Sequence, residues 1–351
     1  MNKPLITLGI PIYNAADLVE RTLLSALNQT YPAIEYLFID DKGNSMDIVR
    51  RVVAVHPRRN AVRIIDQIHN QGTGAARNAI VTHATGEYLF TMDCDDIITP
   101  DCIEILYEKM MEYPVDFVAA SFVRRDLQGN IYPGGYQYED TLVKEDDYAV
   151  AQYRYGQGND IFVATWNKLY RTEFLRENNI LCVPHYLIDD PWFTYQVIIC
   201  ARSCRLISNR TLFFTYNPYS VTSIKEQEGY TNFFAEQYLG TQRLKTEYIR
   251  ALTDQPFYLG ALVDLLKMNF YHLYRTYASA KIAEDKKTEY VRGFLELQFS
   301  YPKRWSLIDK NLYKLLPLLA FYILPIWVKK TIIWCMVSVN LRNIVHRWFH
   351  F

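Results

Sequence analysis

The chain carries no excess of charge of either sign. Its 38 lysine and arginine residues balance 38 aspartate and glutamate residues, so the formal net charge at pH 7 is zero. It also has no long basic run and no internal repeat. Because a protein that binds nucleic acid needs a positive surface to meet the phosphates, this composition argues against such a partner. We therefore expect no nucleic acid among its ligands.

Cysteine and histidine patterns typical of metal or redox motifs are missing as well. None of the six cysteines forms a C-x-x-C pair, and the seven histidines form neither H-E-x-x-H nor H-x-H. Scattered, unpaired cysteines are typical of a reducing compartment, which predicts a cytoplasmic location. The N-terminal apolar run, residues 5–12, is short and is followed at once by Asn14 and Asp17. We interpret it as a first β-strand rather than a signal peptide.

Two common nucleotide-binding fingerprints are absent. Neither G-x-G-x-x-G nor G-x-x-x-x-G-K-[ST] occurs, which argues against a Rossmann oxidoreductase and a P-loop protein. Short β-rich runs nevertheless alternate with amphipathic stretches over the first 125 residues, and the first run is predicted to end at Pro11. This alternation predicts an α/β fold with a mostly parallel central sheet flanked by helices. From about Tyr230 the pattern becomes long and helical.

Four polar clusters fall at predicted strand ends or in adjacent loops, the edge where open α/β sheets bind ligands. Taken alone, the first two are typical of a turn and a capping loop. In chain order the clusters are Pro11-Ile12-Tyr13-Asn14, Asp40-Asp41-Lys42-Gly43-Asn44-Ser45, Asn70-Gln71-Gly72-Thr73-Gly74-Ala75-Ala76-Arg77-Asn78 and Asp93-Cys94-Asp95-Asp96.

The third and fourth clusters contain groups suited to a charged ligand. Glycines in the third cluster allow close approach of the backbone to a ligand, and Arg77 offers a fork that matches phosphate. The fourth cluster holds three carboxylates after an apolar run. Carboxylates this close disfavour one another's ionised form unless a cation shares the site. A hard divalent cation with oxygen ligands, Mg²⁺ or Mn²⁺, is the simplest such partner.

In this order and spacing the clusters resemble the family 2 glycosyltransferases of GT-A fold, of the type that builds bacterial cell-surface glycans. Those proteins carry a P-x-Y-N strand end, a DDGS-type loop, an N-x-G…A-R-N segment and an L-D-x-D-D strand end. The likeness continues through Trp166-Asn167-Lys168-Leu169-Tyr170 to Asp189-Asp190, where the family has Glu-Asp, and so covers roughly residues 4–215. Two departures are an extra residue in the second cluster and aspartate for glutamate at position 189.

The resemblance implies a role for each matching residue. Tyr13 and Asp41 would contact the base of a nucleotide, Asp93 would approach its ribose, and Asp95 would bind Mg²⁺ or Mn²⁺. Asp190 would be the catalytic base, with Asp189 as the alternative. The full implied set is Pro11, Tyr13, Asn14, Asp40, Asp41, Asn70, Gly72, Arg77 and Asp93 for the nucleotide, Asp95 with Asp93 for the metal, and Asp190 with Asp189 for catalysis.

The implied reaction moves one sugar from a nucleotide-diphosphate sugar, by family frequency a UDP-sugar, to a hydroxyl of a glycan acceptor, with inversion. A polyprenyl-diphosphate-linked acceptor is expected by analogy alone. Processive relatives carry Q-x-x-R-W, but here Arg347-Trp348 follows Ile344, so we predict a non-processive hexosyltransferase. Alternatives are a nucleotidyltransferase, which would want a glycine-rich basic loop near the N-terminus, and a non-catalytic scaffold that retains the fold.

The predicted domains are a catalytic domain, residues 1–225, and a helical C-terminal region, residues 226–351. The first divides into a nucleotide-binding half, 1–125, and an acceptor half, 126–225. Residues 310–351 contain six basic residues and no acidic residue, and their longest uncharged run is shorter than the about 20 residues that span a bilayer. Tryptophans accompany these basic residues, which predicts an amphipathic tail on an anionic membrane at the inner face of the plasma membrane. The alternative is a helical hairpin packed on protein.

Overall fold

The computed structural model describes residues 3–186, 188–303 and 312–339. They form two compact units. The first comprises residues up to Val150 together with Ile161–Ile224, and the second comprises Ala151–Asp160 and the residues from Lys225 onward. The segment Ala151–Asp160, which we assigned from sequence to the acceptor half, therefore belongs with the C-terminal helices. The tail positions Lys310, Arg342, Ile344, Arg347 and Trp348 lie outside the described residues.

The first unit is built on one mixed sheet. Its strands are β1 (Ile6–Ile12), β2 (Ile34–Asp40), β3 (Val62–Asp66), β4 (Tyr88–Thr91), β5 (Ile97–Ile98), β6 (Phe117–Arg125), β7 (Ile131–Tyr136), β8 (Thr141–Val143), β9 (Lys168–Arg171) and β10 (Cys204–Thr215). The helices up to residue 228 are α1 (Val19–Leu27), α2 (Met46–Val55), α3 (Thr73–His83), α4 (Cys102–Glu112), the short α5 (Ala149–Ala151), α6 (Thr172–Glu177), α7 (Asp190–Cys200) and α8 (Val221–Glu228).

The sheet order is β3-β2-β1-β4-β9-β6-β10-β5, with β7 paired to β6 and β8 to β10. Strands β1 to β4 are mutually parallel, and β6 is parallel to β10. Strand β9 lies between β4 and β6 and is antiparallel to both. The α/β fold class is thus confirmed, with the parallel pairing concentrated in the N-terminal part of the sheet.

Burial explains why β1 and β2 form the centre of this sheet. Every residue of both strands is buried, as expected for parallel strands covered by helices on both faces. Helix α1 turns Val19, Leu23 and Leu27 inward at a spacing of about one helical turn. The carboxyl ends of these strands are therefore held at fixed positions, which positions the loops that follow them.

Strand β1 continues to Ile12, the end of the apolar run 5–12, and so passes the end predicted at Pro11. Pro11 pairs in register with Ile39 of β2, whereas β4 pairs with β1 only as far as Gly9. The nitrogen of Pro11 lies on the β4 side, where the ladder has already ended. A proline costs no sheet hydrogen bond at such a position.

The second unit is helical, as predicted. Its further helices are α9 (Asn232–Tyr248), α10 (Tyr258–Ala278), α11 (Glu284–Leu295), α12 (Leu312–Ile323) and α13 (Ile326–Ser338). Helix α10 packs against the other four of these helices. Among the described residues no single helix has the length and apolar character to cross a bilayer. Helices α12 and α13 reach that length only jointly, and their axes bend by 118° at the break between them.

Candidate active site

The first, second and fourth clusters meet at the carboxyl edge of β1, β2 and β4. The amide of Asn44 donates to Asn14 Oδ1 at 3.2 Å, and the amide of Ala15 donates to Ser45 Oγ at 2.8 Å. The thiol of Cys94 lies 3.9 Å from the carbonyl oxygen of Tyr13. Residues far apart in sequence therefore lie together at this edge of the sheet.

The extra residue of the second cluster is accommodated by Lys42. Its φ of 62° lies in the left-handed region, and its ammonium donates to Asp40 Oδ2 at 3.0 Å and lies 3.6 Å from Asp66 Oδ1. The Lys42 amide also donates to Asp40 Oδ1 at 2.8 Å. Burial acts to raise the pKa of Asp40, but these hydrogen bonds from Lys42 lower it overall. Asp40 is thus held as a carboxylate by its own loop.

Asp41 connects the second cluster to the third. Its Oδ1 accepts a hydrogen bond from the Gln71 amide at 2.7 Å, and its Oδ2 accepts from the Gly72 amide and the Asn70 side chain, both at 3.1 Å. Burial raises the pKa of Asp41, and the two backbone amides oppose that shift. In this arrangement Asp41 shapes the turn over Asn70 and Gly72. Its contact with a nucleotide base stays a prediction.

Arg77 lies at the centre of the site and bonds three carboxylates. Its Nη2 lies 2.7 Å from Asp93 Oδ1, and its Nη1 lies 2.7 Å from Asp189 Oδ1 and 3.3 Å from Asp190 Oδ1. We predicted from sequence that this guanidinium lies near the nucleotide. The structure adds that both of its terminal nitrogens hold aspartates. Asp93 and the pair Asp189-Asp190 are therefore joined through one guanidinium.

Helix α3 brings Arg77 to the pair Asp189-Asp190 because it packs closely on the segment that precedes them. The Asn78 side chain donates to the Cys182 carbonyl at 2.9 Å and accepts from the Cys182 amide at 2.8 Å. A Cβ at Gly74 would lie 2.3 Å from the Val183 carbonyl oxygen. The bulk of any other residue at position 74 would push the two segments apart.

Electrostatics distinguish the two adjacent aspartates. The Asp189 side chain is fully buried, and burial raises its pKa to about 6 while Arg77 acts to lower it. Burial acts to lower the pKa of Arg77, but Asp189, Asp190 and Asp93 raise it overall, so the guanidinium stays charged. Asp190, the first residue of α7, keeps 29 % of its side chain exposed. Asp190 is the accessible member of the pair.

Sequence reasoning missed the group that orients Asp190. The amide of Thr165 donates to Asp190 Oδ1 at 2.7 Å, so this oxygen is held by a backbone N–H as well as by Arg77. Thr165 stands directly before Trp166-Asn167-Lys168-Leu169-Tyr170, a motif that we had used only as a mark of the family. In the sequence, the only indication of this contact was that the motif precedes the acidic pair.

The carboxylates of the fourth cluster differ in burial and in hydrogen bonding. Asp96 is buried, and its Oδ1 accepts from the Thr215 amide at 2.8 Å, which ties the loop to β10. Asp95 is partly accessible, and burial together with the nearby Asp93 raises its pKa to about 7. Such crowding of negative charge is relieved by a cation. In the described part of the chain no group of three or more histidine, cysteine, aspartate or glutamate side chains is placed to hold a metal. The two oxygen donors of Asp93 and Asp95 fit Mg²⁺ or Mn²⁺ if a ligand supplies the rest.

Comparison with solved structures identifies the fold class. The chain is similar to TarS residues 1–349 of S. aureus, crystallised in complex with UDP-GlcNAc, with a TM-score of 0.51 and 17 % identity over 87 % of this chain and 95 % of that one. The fold is accordingly that of the GT-A nucleotide-diphospho-sugar transferases. The model of glycosyl transferase family 2 matches residues 7–178, and this segment belongs to that family.

Two curated relatives have higher identity over shorter segments. An uncharacterized glycosyltransferase of Haemophilus influenzae is 34 % identical over 132 residues, which are 37 % of this chain and 52 % of that protein. A chondroitin synthase of Escherichia coli is 34 % identical over 138 residues, 38 % of this chain and 20 % of that protein. The chain thus matches about half or less of the length of these relatives.

Replacing Arg77 with methionine should destabilise the first unit, because the fully buried Asp189 would lose its charge partner. Loss of one member of a buried ion pair costs about 3–5 kcal/mol. Urea unfolding followed by tryptophan fluorescence measures this loss. The matched control is Arg50→Met, since the Arg50–Asp66 pair is half-exposed and should contribute less than about 1 kcal/mol. Equal stability of Arg77→Met and the wild type would contradict the central role of Arg77.

Proposed function

We propose that the protein transfers a single sugar from a nucleotide-diphosphate sugar to a hydroxyl of a glycan acceptor, with inversion at the anomeric carbon. The observation that carries this proposal is the Arg77 ion-pair cluster, which holds Asp93 and Asp190 on one guanidinium. A donor and an acceptor bound against these two residues would be adjacent. The UDP-GlcNAc complex of TarS supports a UDP-sugar as donor.

Asp190 is the proposed general base. Within the described residues both of its hydrogen bonds fall on Oδ1, which leaves Oδ2 to accept the proton of the attacking hydroxyl. The acceptor oxygen bonds to the anomeric carbon as the bond from that carbon to the diphosphate oxygen breaks. Attack on the face opposite the leaving diphosphate gives inversion. General base catalysis of this kind contributes about 10²–10⁴-fold to the rate. The full burial of Asp189 argues against it in this role.

Asp95 and Asp93 are the proposed ligands of Mg²⁺ or Mn²⁺. The cation would neutralise charge on the leaving diphosphate when bound. Asp93 and Asp95 supply hard oxygen donors, and the raised pKa of Asp95 is consistent with a site in need of positive charge. The residues proposed to contact the nucleotide, Tyr13, Asn14, Asp40 and Gly72, lie at the same edge of the sheet.

The acceptor is proposed to be a surface glycan or its polyprenyl-diphosphate-linked precursor, extended by one sugar per encounter. Similarity to a chondroitin synthase supports polysaccharide synthesis. The proposal of a lipid-linked acceptor rests on the second unit. One side of its helices α12 and α13 packs on α10, and the other side is exposed. Leu315, Leu319 and Ile333 are buried, whereas Trp327 and Trp334 are 69 % and 57 % exposed.

The exposed apolar side of α12 and α13 suits an anionic membrane surface at the cytoplasmic face of the plasma membrane. Apolar or aromatic side chains stand exposed along both helices, with Lys314 and Lys330 among them and no acidic residue. Interfacial tryptophan together with lysine is typical of segments that rest on anionic lipid. We propose that this side of the second unit binds the membrane peripherally.

The substitution Asp190→Asn should lower kcat by about 10²–10⁴-fold because the general base is lost. Binding of UDP should stay within twofold of the wild type, since Asp190 is proposed to face the acceptor. Turnover of UDP-GlcNAc, measured as UDP release with and without an acceptor extract, and calorimetric titration with UDP check both values. A variant Asp189→Asn that loses turnover while Asp190→Asn keeps it would assign the base to Asp189.

The substitution Asp95→Ala should abolish the dependence of UDP binding on Mn²⁺. Calorimetric titration of UDP with Mn²⁺ and with EDTA gives a readout that is independent of turnover. The control is Asp101→Ala, an exposed carboxylate at the start of α4, which should keep the metal-dependent difference. If wild-type protein bound UDP equally well in EDTA, the metal site would be excluded.

The double substitution Trp327→Ser with Trp334→Ser should lower the fraction of full-length protein bound to phosphatidylglycerol vesicles by about tenfold, because two interfacial anchors are removed. Vesicle co-sedimentation at low salt measures this fraction, and phosphatidylcholine vesicles test the contribution of lipid charge. The control is Tyr219→Ser, a 79 % exposed aromatic residue of the first unit. Wild-type protein that stays in the supernatant with anionic vesicles would contradict the membrane proposal.

A further inference from the structure

The turn formed by Phe162, Ala164 and Thr165 is held by buried side chains rather than by regular secondary structure. The Lys168 ammonium donates to the Ala164 carbonyl at 2.7 Å and to the Phe162 carbonyl at 3.2 Å. Lys168 is only 3 % exposed. Within the described part of the chain it forms no ion pair closer than 4.0 Å. Burying a lysine side chain that bonds only to two carbonyl groups carries a desolvation cost.

Tyr170 acts on the next carbonyl of the same turn. Its hydroxyl donates to the Thr165 carbonyl oxygen at 3.1 Å, and the Thr91 hydroxyl donates to that oxygen at 3.0 Å. The side chains of Lys168 and Tyr170 are both provided by β9, the antiparallel strand between β4 and β6. One strand therefore fixes two successive carbonyl groups.

These contacts bear directly on Asp190 because the Ala164 carbonyl and the Thr165 amide belong to one planar peptide unit. When Lys168 fixes the Ala164 oxygen, it also fixes the direction of the Thr165 N–H, which donates to Asp190 Oδ1 at 2.7 Å. The hydrogen bond from Lys168 Nζ to the carbonyl also polarises the peptide unit and strengthens that N–H as a donor. The chain of contacts runs from Lys168 through one peptide group to the carboxylate.

We propose that Lys168 and Tyr170 are positioning residues, which aim the Thr165 amide and thereby hold Asp190 with Oδ2 toward the acceptor hydroxyl. This inference rests on the proposed function, in which Asp190 is the base. Burial lowers the pKa of Lys168 to about 7, and the charge of Asp190 opposes that shift, which is consistent with an electrostatic connection between the two side chains.

A positioning role predicts a loss in kcat without a loss in donor binding. Tyr170→Phe removes one hydroxyl and should lower kcat about tenfold, and Lys168→Met should lower it further, since small misplacements of a catalytic group cost up to about 10²-fold. KM for the UDP-sugar and calorimetric binding of UDP should stay within twofold. The matched control is Tyr31→Phe, which should keep wild-type kcat. It removes a hydroxyl that donates to the Pro4 carbonyl at 2.8 Å, away from the Arg77 cluster.

The outcomes separate this inference from the proposed function. If Lys168→Met fails to fold, Tyr170→Phe alone decides. Wild-type kcat in Tyr170→Phe beside an inactive Asp190→Asn would overturn the positioning role and leave the proposed base in place. Equal losses of kcat and UDP affinity would mean a purely structural role and would also overturn it. Full activity in Asp190→Asn would remove the proposed base and this inference together.

Discussion

The candidate active site depends on one buried guanidinium that bonds three carboxylates. Arg77 is held by Asp93, Asp189 and Asp190, and none of the three could be removed from water so far without a positive partner. Its planar fork allows two terminal nitrogens to serve separate carboxylates, which a lysine could not do. Asp93 and the pair Asp189-Asp190 are thereby kept at a fixed separation.

Backbone N–H groups around this cluster also stabilise the carboxylates of the site. Asp41 accepts hydrogen bonds from the amides of Gln71 and Gly72, Asp96 from the amide of Thr215, and Asp190 from the amide of Thr165. Backbone N–H groups are rigid donors, so each carboxylate is oriented as well as stabilised. A site preorganised in this way needs little rearrangement when a charged donor arrives.

Much of the fold and the rim of the site could be predicted from sequence because parallel strands leave their carboxyl ends at one edge. Clusters after β1, β2 and β4 had to meet there, and they do. The antiparallel insertion of β9 was not predictable, since its pairing with β4 and β6 joins residues some 80 and 50 positions apart by contacts that no local pattern encodes. The amide of Thr165 was missed for the same reason, because a backbone donor carries no mark in the sequence.

The order of the charged residues along the chain could be recognised from the sequence alone. It places carboxylates after buried strands, Arg77 among small residues, and the pair Asp189-Asp190 before a helix. Folding alone distinguishes Asp189 from Asp190, two identical neighbours of which one is fully buried and the other 29 % exposed. Both aspartates follow a segment that packs on α3 through Cys182 and Val183, and both are bonded to Arg77 of that helix. Burial is a property of that packing, and it decides which carboxylate can meet a substrate.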